Sequence, residues 1–162
     1  MSLGQQLAQR LEQPGIDGAS VVAADGGDRL TARIDESGPL AVSAWELRLD
    51  TKRLAGASME RVRQAAEEVT RRVTYLLEPI TPVEVDAEAC VVQLRSTQPQ
   101  EESGPGQAGA ARSYYEVLVK TGGSIALQRY ESQRGQLRRS VAMMLTKEIV
   151  CRLAEDFLAS VD

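Results

Sequence analysis

The sequence predicts an α+β fold in which an antiparallel sheet of about five to seven strands packs against two long amphipathic helices. Segments with period-two alternation are followed by a long amphipathic helix, first over residues 19–78 and again over residues 80–161. Such alternation leaves one sheet face buried and the other wet, which is typical of antiparallel sheets. With a short first helix added, the predicted order is α-β-β-β-α-β-β-β-α.

Length and composition indicate a single α+β domain over residues 1–162, long enough to bury a core. Apolar residues make up 43% of the chain and charged residues 26%, the proportions of a folded globular protein. No stretch approaches the ~20 apolar residues that a membrane-spanning helix needs. The N-terminus also lacks a signal-peptide pattern. We therefore expect a cytoplasmic protein without membrane contact.

The first half of the chain predicts a short helix and three strands. Ser2 and Gln5 have the spacing of a capping box at the start of the helix. Strands are predicted over residues 19–24, 29–35 and 40–50, and turn signals separate them. In the third strand Trp45, Leu47 and Leu49 are expected to point inward. Asp25 and Asp28 flank two glycines, which favours a turn over a Ca²⁺ loop because an acidic ladder is missing.

The most regular helical pattern runs from Ser58, the predicted N-cap, to Leu77. Apolar residues recur there at every third or fourth position, and Pro79 follows the last of them. On the opposite face Glu67 is expected to pair with Arg71, and Glu68 with Arg72.

The second half repeats the scheme, with strands predicted over residues 80–85, 89–97, 112–121 and 124–133. The segment 97–111 has no bulky apolar residue and is predicted to be a flexible loop.

A final helix is predicted over residues 137–161, because apolar side chains form an i+4 ridge there. Its apolar face is wide enough to suggest two buried sides, one against the sheet and one against a second subunit or a client protein. Enclosure by the chain's own sheet and the preceding helix is the alternative. The candidate interface residues are Met144, Val150, Leu158 and Val161.

Arg134, Arg138 and Arg139 precede this helix, at the end where the helix dipole disfavours positive charge. Contact with acidic groups would explain them, and a solvated helix end is the simpler account. Cys90 and Cys151 fall in apolar runs and are predicted to be buried, reduced core residues.

The chain contains no His, which removes the most common general base and metal ligand. It also has no paired Cys motif and no phosphate-binding or dinucleotide motif, so we expect no metal site and no cofactor. Catalysis through Lys, Glu or Tyr stays open, although a non-enzymatic role is favoured. A formal charge of −4 argues against a nucleic-acid partner.

Glu46, Glu84 and Glu116 each interrupt a predicted strand. Cross-strand pairing with Arg or Lys is the ordinary role of such carboxylates. A catalytic pair would require two of them to converge in a dry cleft.

Tyr114, Tyr115 and Tyr130 form a second group, which could stack nucleic-acid bases. The basic residues near them in the sequence are Arg112, Lys120 and Arg129. The strand that carries the first two tyrosines is not an RNP motif, and Glu116 follows them directly. A structural role for the tyrosines is therefore favoured.

The order of predicted elements resembles that of the type III secretion chaperone-like fold, and the mass of 17.6 kDa and pI near 5.0 are similar to that group as well. The resemblance covers nearly the whole chain and implies a dimeric chaperone that holds a partly unfolded client segment along its surface. No residue motif accompanies it, so it transfers no functional residues.

We therefore expect a non-enzymatic protein-binding module, a chaperone or adaptor that acts as a homodimer. The alternative is a small-molecule-binding domain or His-free enzyme with a pocket between sheet and helices. That pocket would need convergent polar residues such as Glu84, Arg129 and Tyr75.

Overall fold

The strands that the structure describes form one antiparallel sheet, and the described helices pack against it. The computed structural model describes residues 1–97 and 112–162, so the loop predicted at 97–111 lies outside the described residues except for Thr97. The elements are α1 (Leu3–Leu11), β1 (Ser20–Asp25), β2 (Asp28–Ser37), β3 (Ala41–Thr51), a 3-10 turn (Lys52–Leu54), α2 (Met59–Arg72), β4 (Ile80–Asp86), β5 (Val91–Ser96), β6 (Arg112–Lys120), β7 (Ser124–Ser132), β8 (Arg139–Val141), β9 (Met143–Thr146) and α3 (Lys147–Ser160).

The predicted α+β class and the antiparallel pairing are confirmed, but the predicted number of strands was too low. The described residues contain nine strands and three helices of 9, 14 and 14 residues, not two long ones. None of the described helices has the length and apolar character needed to cross a membrane.

The strand order is β1-β2-β3-β7-β6-β5-β4, which makes β1 and β4 the two edges of the sheet. Two meanders, β1 to β3 and β4 to β7, meet where Leu47 pairs with Leu127 and Leu49 with Ile125. Beyond this contact β3 and β7 separate. The chain turns back after β7 and fills the gap, because β8 pairs with β7 and β9 pairs with β3.

The three helices form one layer, since α3 contacts both α1 and α2. Their apolar stripes meet every second residue of the strands, as the alternation predicts. No described helix covers the other side of the sheet, which we call the open face. Large side chains at the centre of the resulting core are Leu7, Leu11, Leu30, Leu47, Leu49, Leu94, Ile125, Leu127 and Phe157.

The predicted helix starts are confirmed by their caps. The Ser2 hydroxyl accepts a hydrogen bond from the backbone N–H of Gln5, and the side chain of Gln5 accepts one from the backbone N–H of Ser2. At the start of α2 the Ser58 hydroxyl accepts from the backbone N–H of Arg61. The predicted end of α2 at Leu77 is wrong. The chain leaves the helix at Val73 and reaches a left-handed φ of 65° at Leu77, which is 90% exposed.

The predicted final helix, 137–161, is the largest error in the element assignment. The helix begins at Lys147, where the Thr146 hydroxyl caps it by accepting from Ile149 N at 3.1 Å. The preceding residues form β8 and β9 instead. Met143 and Leu145 are buried and Met144 between them is exposed. This alternation is that of a strand, but the same segment also fits the i+4 spacing from which the helix was predicted.

Trp45 and Cys90 do not lie in the core, contrary to prediction. Arg33 pairs with Glu46 and Ile34 with Ala44, so Trp45 is the extra residue of a β-bulge and is half-buried. Cys90 lies in the turn before β5 with a φ of 50°. It and Cys151 are both free thiols and both half-buried, so the prediction of a fully buried core cysteine is wrong for Cys151 as well.

Candidate functional site

The structure separates the four predicted interface residues. Val150 and Val161 are 1% and 2% exposed within the chain's own core, so they offer no surface to a partner. Leu158 is half-buried against the same core. Only Met144, at 73% exposure, faces solvent, and it belongs to β9 rather than to the helix. The chain itself therefore buries α3, as the alternative to a partner interface expects, because α3 contacts β3, β9 and the two other helices.

The polar residues named for an internal pocket do not converge either. The guanidinium of Arg129 lies 3.3 Å from Glu78 Oε2 and stacks 4.4 Å from the ring centroid of Tyr115. Tyr75 donates its hydroxyl to Asp156 at 2.6 Å, and Glu84 is exposed on β4. These contacts connect elements of the fold and leave no shared polar cavity.

The ionisation of Tyr75 gives a testable pH dependence. Burial, reinforced by the hydrogen bond to Asp156, raises the pKa of Tyr75 well above its ordinary value of 10.0. The unfolded chain therefore releases this proton at lower pH than the folded chain. The stabilisation is complete below about pH 10 and is lost as the pH rises above that value.

We expect the free energy of unfolding, measured by urea titration at a series of pH values, to fall above about pH 10. Tyr75→Phe should lower stability at neutral pH and make the alkaline decline shallower. Burial also raises the pKa of Tyr115 and Tyr130, so a residual decline should remain. An unchanged slope in the Tyr75→Phe variant would contradict the assignment to Tyr75.

The tyrosine group predicted from the sequence is divided between the two faces of the sheet. Tyr114 and Tyr130 face each other on the open face, with ring centroids 6.2 Å apart. Tyr115 points to the helix side and is buried. Alternation along β6 causes this division, so the three rings cannot form one stacking platform.

Two arginines complete a stack on the open face. The guanidinium of Arg95 lies 4.4 Å from the ring centroid of Tyr114, and that of Arg138 lies 3.9 Å from the ring centroid of Tyr130. We call these four residues, Arg95, Tyr114, Tyr130 and Arg138, the Arg–Tyr stack. It runs across β5, β6 and β7 to the segment before β8, and its cations differ from those expected from the sequence.

Glu116 lies beneath this stack and is only 2% exposed. Its Oε1 atom accepts from the Gln93 amide and, at 3.0 Å, from Arg138. This carboxylate holds the pKa of Arg138 above its ordinary value. Contact with acidic groups, the alternative to a solvated helix end, is thus observed for Arg138 and also for Arg139, which lies 2.8 Å from Glu131. Neither residue starts a helix, because β8 and β9 precede α3.

Two buried atoms in this cluster, Glu116 Oε2 and Arg95 Nε, have no hydrogen-bond partner among the described residues. The two side chains are direct cross-strand neighbours. Glu46, also on the open face, accepts from Gln128 at 2.7 Å. Gln128 therefore holds the Glu46 carboxylate, and Gln93 and Arg138 hold that of Glu116. Neither carboxylate pairs with a described Arg or Lys of a neighbouring strand, contrary to the cross-strand pairing predicted from the sequence. The contact with Arg138 ties the segment between β7 and β8 to the sheet.

A groove lies on the other side of the sheet, between α2 and the edge strand β4. We call it the α2–β4 groove; it has a volume of about 320 Å³. Ala66 and Val92 are buried at its base, whereas Val85 is 40% exposed. Its lining residues are Arg63, Ala66, Glu67, Pro82, Val85 and Val92.

One acidic and one basic side chain line this groove, Glu67 and Arg63 of α2, and both residues are exposed. Glu84 and Asp86 of β4 alternate with Val85 and therefore lie on the open face, where Glu84 is the cross-strand neighbour of Gln93. Glu67 forms no ion pair within the described part of the chain, because Arg71 and Arg72 both bind Glu68. The predicted pair between Glu67 and Arg71 is therefore wrong. No sequence signal identified the groove, since Ala66 and Val92 belong to distant segments.

A second hollow, of about 520 Å³, lies between α1 and α3 and is lined in part by Cys151. Burial, with a smaller effect of Glu155, raises the pKa of the Cys151 thiol. The thiol is therefore protonated at neutral pH, which makes it a poor nucleophile.

The turn between β1 and β2 also serves the fold. Asp28 accepts from the Thr51 hydroxyl at 2.6 Å and from Arg53 at 3.0 Å. Throughout residues 1–97 and 112–162, no three or more Cys, Asp or Glu residues gather in a group that could hold a metal ion.

Comparisons with known proteins do not assign the chain to a family. No family model, curated protein or solved structure matches the chain. The resemblance to the type III secretion chaperone-like fold therefore stays a prediction from element order, and the surfaces described above carry the functional argument.

Proposed function

We propose that the protein is a non-enzymatic protein-binding module, a chaperone or adaptor, that holds an extended segment of a partner protein in the α2–β4 groove. The observation that carries this proposal is the uncovered strand beside α2. Strand β4 exposes six of its seven residues, and Val85 is 40% exposed although Val92, its cross-strand partner, is buried.

The chemistry of the groove defines the partner. Its base of Ala66 and Val92 is apolar and fits an aliphatic side chain, whose burial contributes about 1.5–3 kcal/mol. Glu67, which forms no described ion pair, and the chain's formal charge of −4 favour a segment that also carries Lys or Arg, because complementary charge accelerates and orients binding. A segment with alternating apolar and basic residues satisfies both requirements.

Side-chain insertion is a better binding mode here than addition of a strand to β4. Pro82 lacks a backbone N–H, and the register shifts between Pro82 and Glu84. Proline, a bulge and charged residues are the features that prevent other strands from pairing with a sheet edge. The partner segment is therefore held mainly by its side chains.

The groove can be tested with two synthetic peptides, one with alternating Lys and Val and one with alternating Glu and Val. We expect the Lys–Val peptide to bind in fluorescence anisotropy and the Glu–Val peptide not to bind. Val85→Lys should weaken binding at least about tenfold, because it removes an apolar contact and adds a like charge.

Val83→Lys is the matched control. Val83 lies on the same strand with 50% exposure but does not line the groove, so the net charge change is the same without the lost contact. We expect less than about a threefold effect, since exposed charges interact weakly through water. Equal losses in the two variants would mean that only the net charge of the protein matters, and would overturn the proposed site.

The homodimer is the second part of the proposed function. It agrees with what the resemblance implies about quaternary structure. The interface first assigned to α3 is not available at Val150 and Val161, so a different surface must carry the contact.

A further inference from the structure

The two edges of the sheet differ in their protection. Strand β4 carries Pro82, a bulge and two carboxylates, which discourage edge pairing. Strand β1, with the sequence SVVAAD, has no proline and no bulge, and its only charged residue, Asp25, lies at its end. All six of its residues pair with β2 without a register shift. A regular, nearly uncharged edge of this kind is suited to pairing with another strand.

The register of the β1–β2 hairpin shows which backbone atoms of β1 are free. Asp25 pairs with Asp28 across a two-residue turn, in which Gly26 has a φ of 59°. The pair that closes such a turn is hydrogen-bonded, and hydrogen-bonded pairs then recur at every second residue. The bond from Ile34 N to Ala19 O, at 2.9 Å, belongs to the same series. Odd-numbered residues of β1 therefore bond to β2.

The even-numbered residues Ser20, Val22 and Ala24 consequently direct their N–H and C=O groups away from β2, towards the free edge. No other described backbone group bonds to them on that side. Their side chains lie on the open face, whereas Val21 and Ala23 are buried on the helix side.

We propose that β1 pairs antiparallel with β1 of a second copy of this chain, about a twofold axis at Val22. In this register Val22 lies opposite Val22 of the second copy, and Ser20 lies opposite its Ala24. All three free backbone positions are then paired, which gives about six hydrogen bonds across the axis. The inference rests on the homodimer part of the proposed function and assigns its interface.

The strand is self-complementary in this register. Asp25 falls opposite Ala19 of the second copy, so no like charges meet. A shift by one residue would place Val21 opposite Ala24 of the second copy. Residues that lie opposite each other in a sheet share one face, but Val21 lies on the helix side and Ala24 on the open face, so this register does not fit. The twofold axis joins the two sheets and places both copies of α1 on the same side. Strand β4 could not pair with itself as well, because it would bring together the carboxylates of Glu84 and Asp86.

Val22→Pro tests the interface with little effect on the hairpin, because it removes an N–H that points away from β2. In sedimentation velocity over a concentration series, we expect the native chain to sediment as a dimer and V22P as a monomer. Val22→Thr, which keeps the N–H and the branched side chain, should remain a dimer. Circular dichroism checks that each variant is folded.

A charge exchange tests the register even if V22P fails to fold. V22K and V22E should each be monomeric, because like charges would meet at the axis, and an equimolar mixture should form a heterodimer. A monomeric native chain, a dimer that persists in V22P and V22K, or a mixture that fails to associate would each overturn the proposal. Binding of the Lys–Val peptide is measured on the same variants, so loss of the dimer is distinguished from failure of the α2–β4 groove.

Discussion

Val150→Asp is expected to abolish folding of the protein. Val150 is 1% exposed on α3, where it packs within the core. A buried carboxylate without a partner costs about 4 kcal/mol or more, a large share of the roughly 5–15 kcal/mol by which domains of this size are stable. Far-UV circular dichroism and thermal unfolding of the purified variant would measure the loss.

Met144→Asp is the matched control, because it introduces the same side chain at a position that is 73% exposed. Its free energy of unfolding should stay within about 0.5 kcal/mol of the native value. A folded Val150→Asp variant that had lost only self-association would contradict the structure. It would also restore the interface that the sequence predicted on the final helix.

Arg138→Ala is expected to lower the free energy of unfolding by about 1–2 kcal/mol. Glu116, which is 2% exposed, would lose the charged donor that lies 3.0 Å from its Oε1 atom. Hydrogen bonds to charged groups contribute about 1.5–3 kcal/mol, and the lower range applies because the Arg138 side chain is 41% exposed. Chemical denaturation at pH 7 would give the value.

The double variant Arg138→Ala with Glu116→Gln separates this pairing from simple loss of surface contacts. If the carboxylate is the reason for the loss, the double variant should be less destabilised than the sum of the two single variants. Arg139→Ala provides a control, since its ion pair with Glu131 is exposed and should contribute at most about 1 kcal/mol. Equal effects of Arg138→Ala and Arg139→Ala would show that Glu116 does not depend on Arg138.

Local chemistry made the starts of the helices predictable. Ser2 and Ser58 cap helices because a hydroxyl accepts from a free backbone N–H a few residues on, and this depends on the adjacent sequence alone. The hairpin turns at Gly26 and Gly123 were predictable for a related reason, since both glycines adopt a positive φ.

The segment before α3 was mispredicted because its apolar residues satisfy two periods. Val141 and Leu145 continue the i+4 ridge of the helix, yet Met143 and Leu145 also alternate with the exposed Met144. The pairing of β9 with β3 decides between these readings. The two strands are about a hundred residues apart in the chain, so no local window contains the deciding contact.

The candidate groove was beyond sequence reasoning for the same physical reason. Ala66 belongs to a helix stripe and Val92 to a strand, and each pattern predicts only a buried side. The position of the helix layer on the sheet leaves β4 exposed beyond the edge of α2. Only the three-dimensional packing leaves Val85 uncovered.

The measurement that most directly tests the central claim is an amide NMR titration of the full chain with the Lys–Val peptide. We expect shift changes at Arg63 and Ala66 of α2 and at Val85 and Val92 of the neighbouring strands, with no change at Tyr114 or Tyr130. Changes confined to the open face around the Arg–Tyr stack, or no changes at any concentration, would contradict the proposal that the α2–β4 groove binds a partner protein.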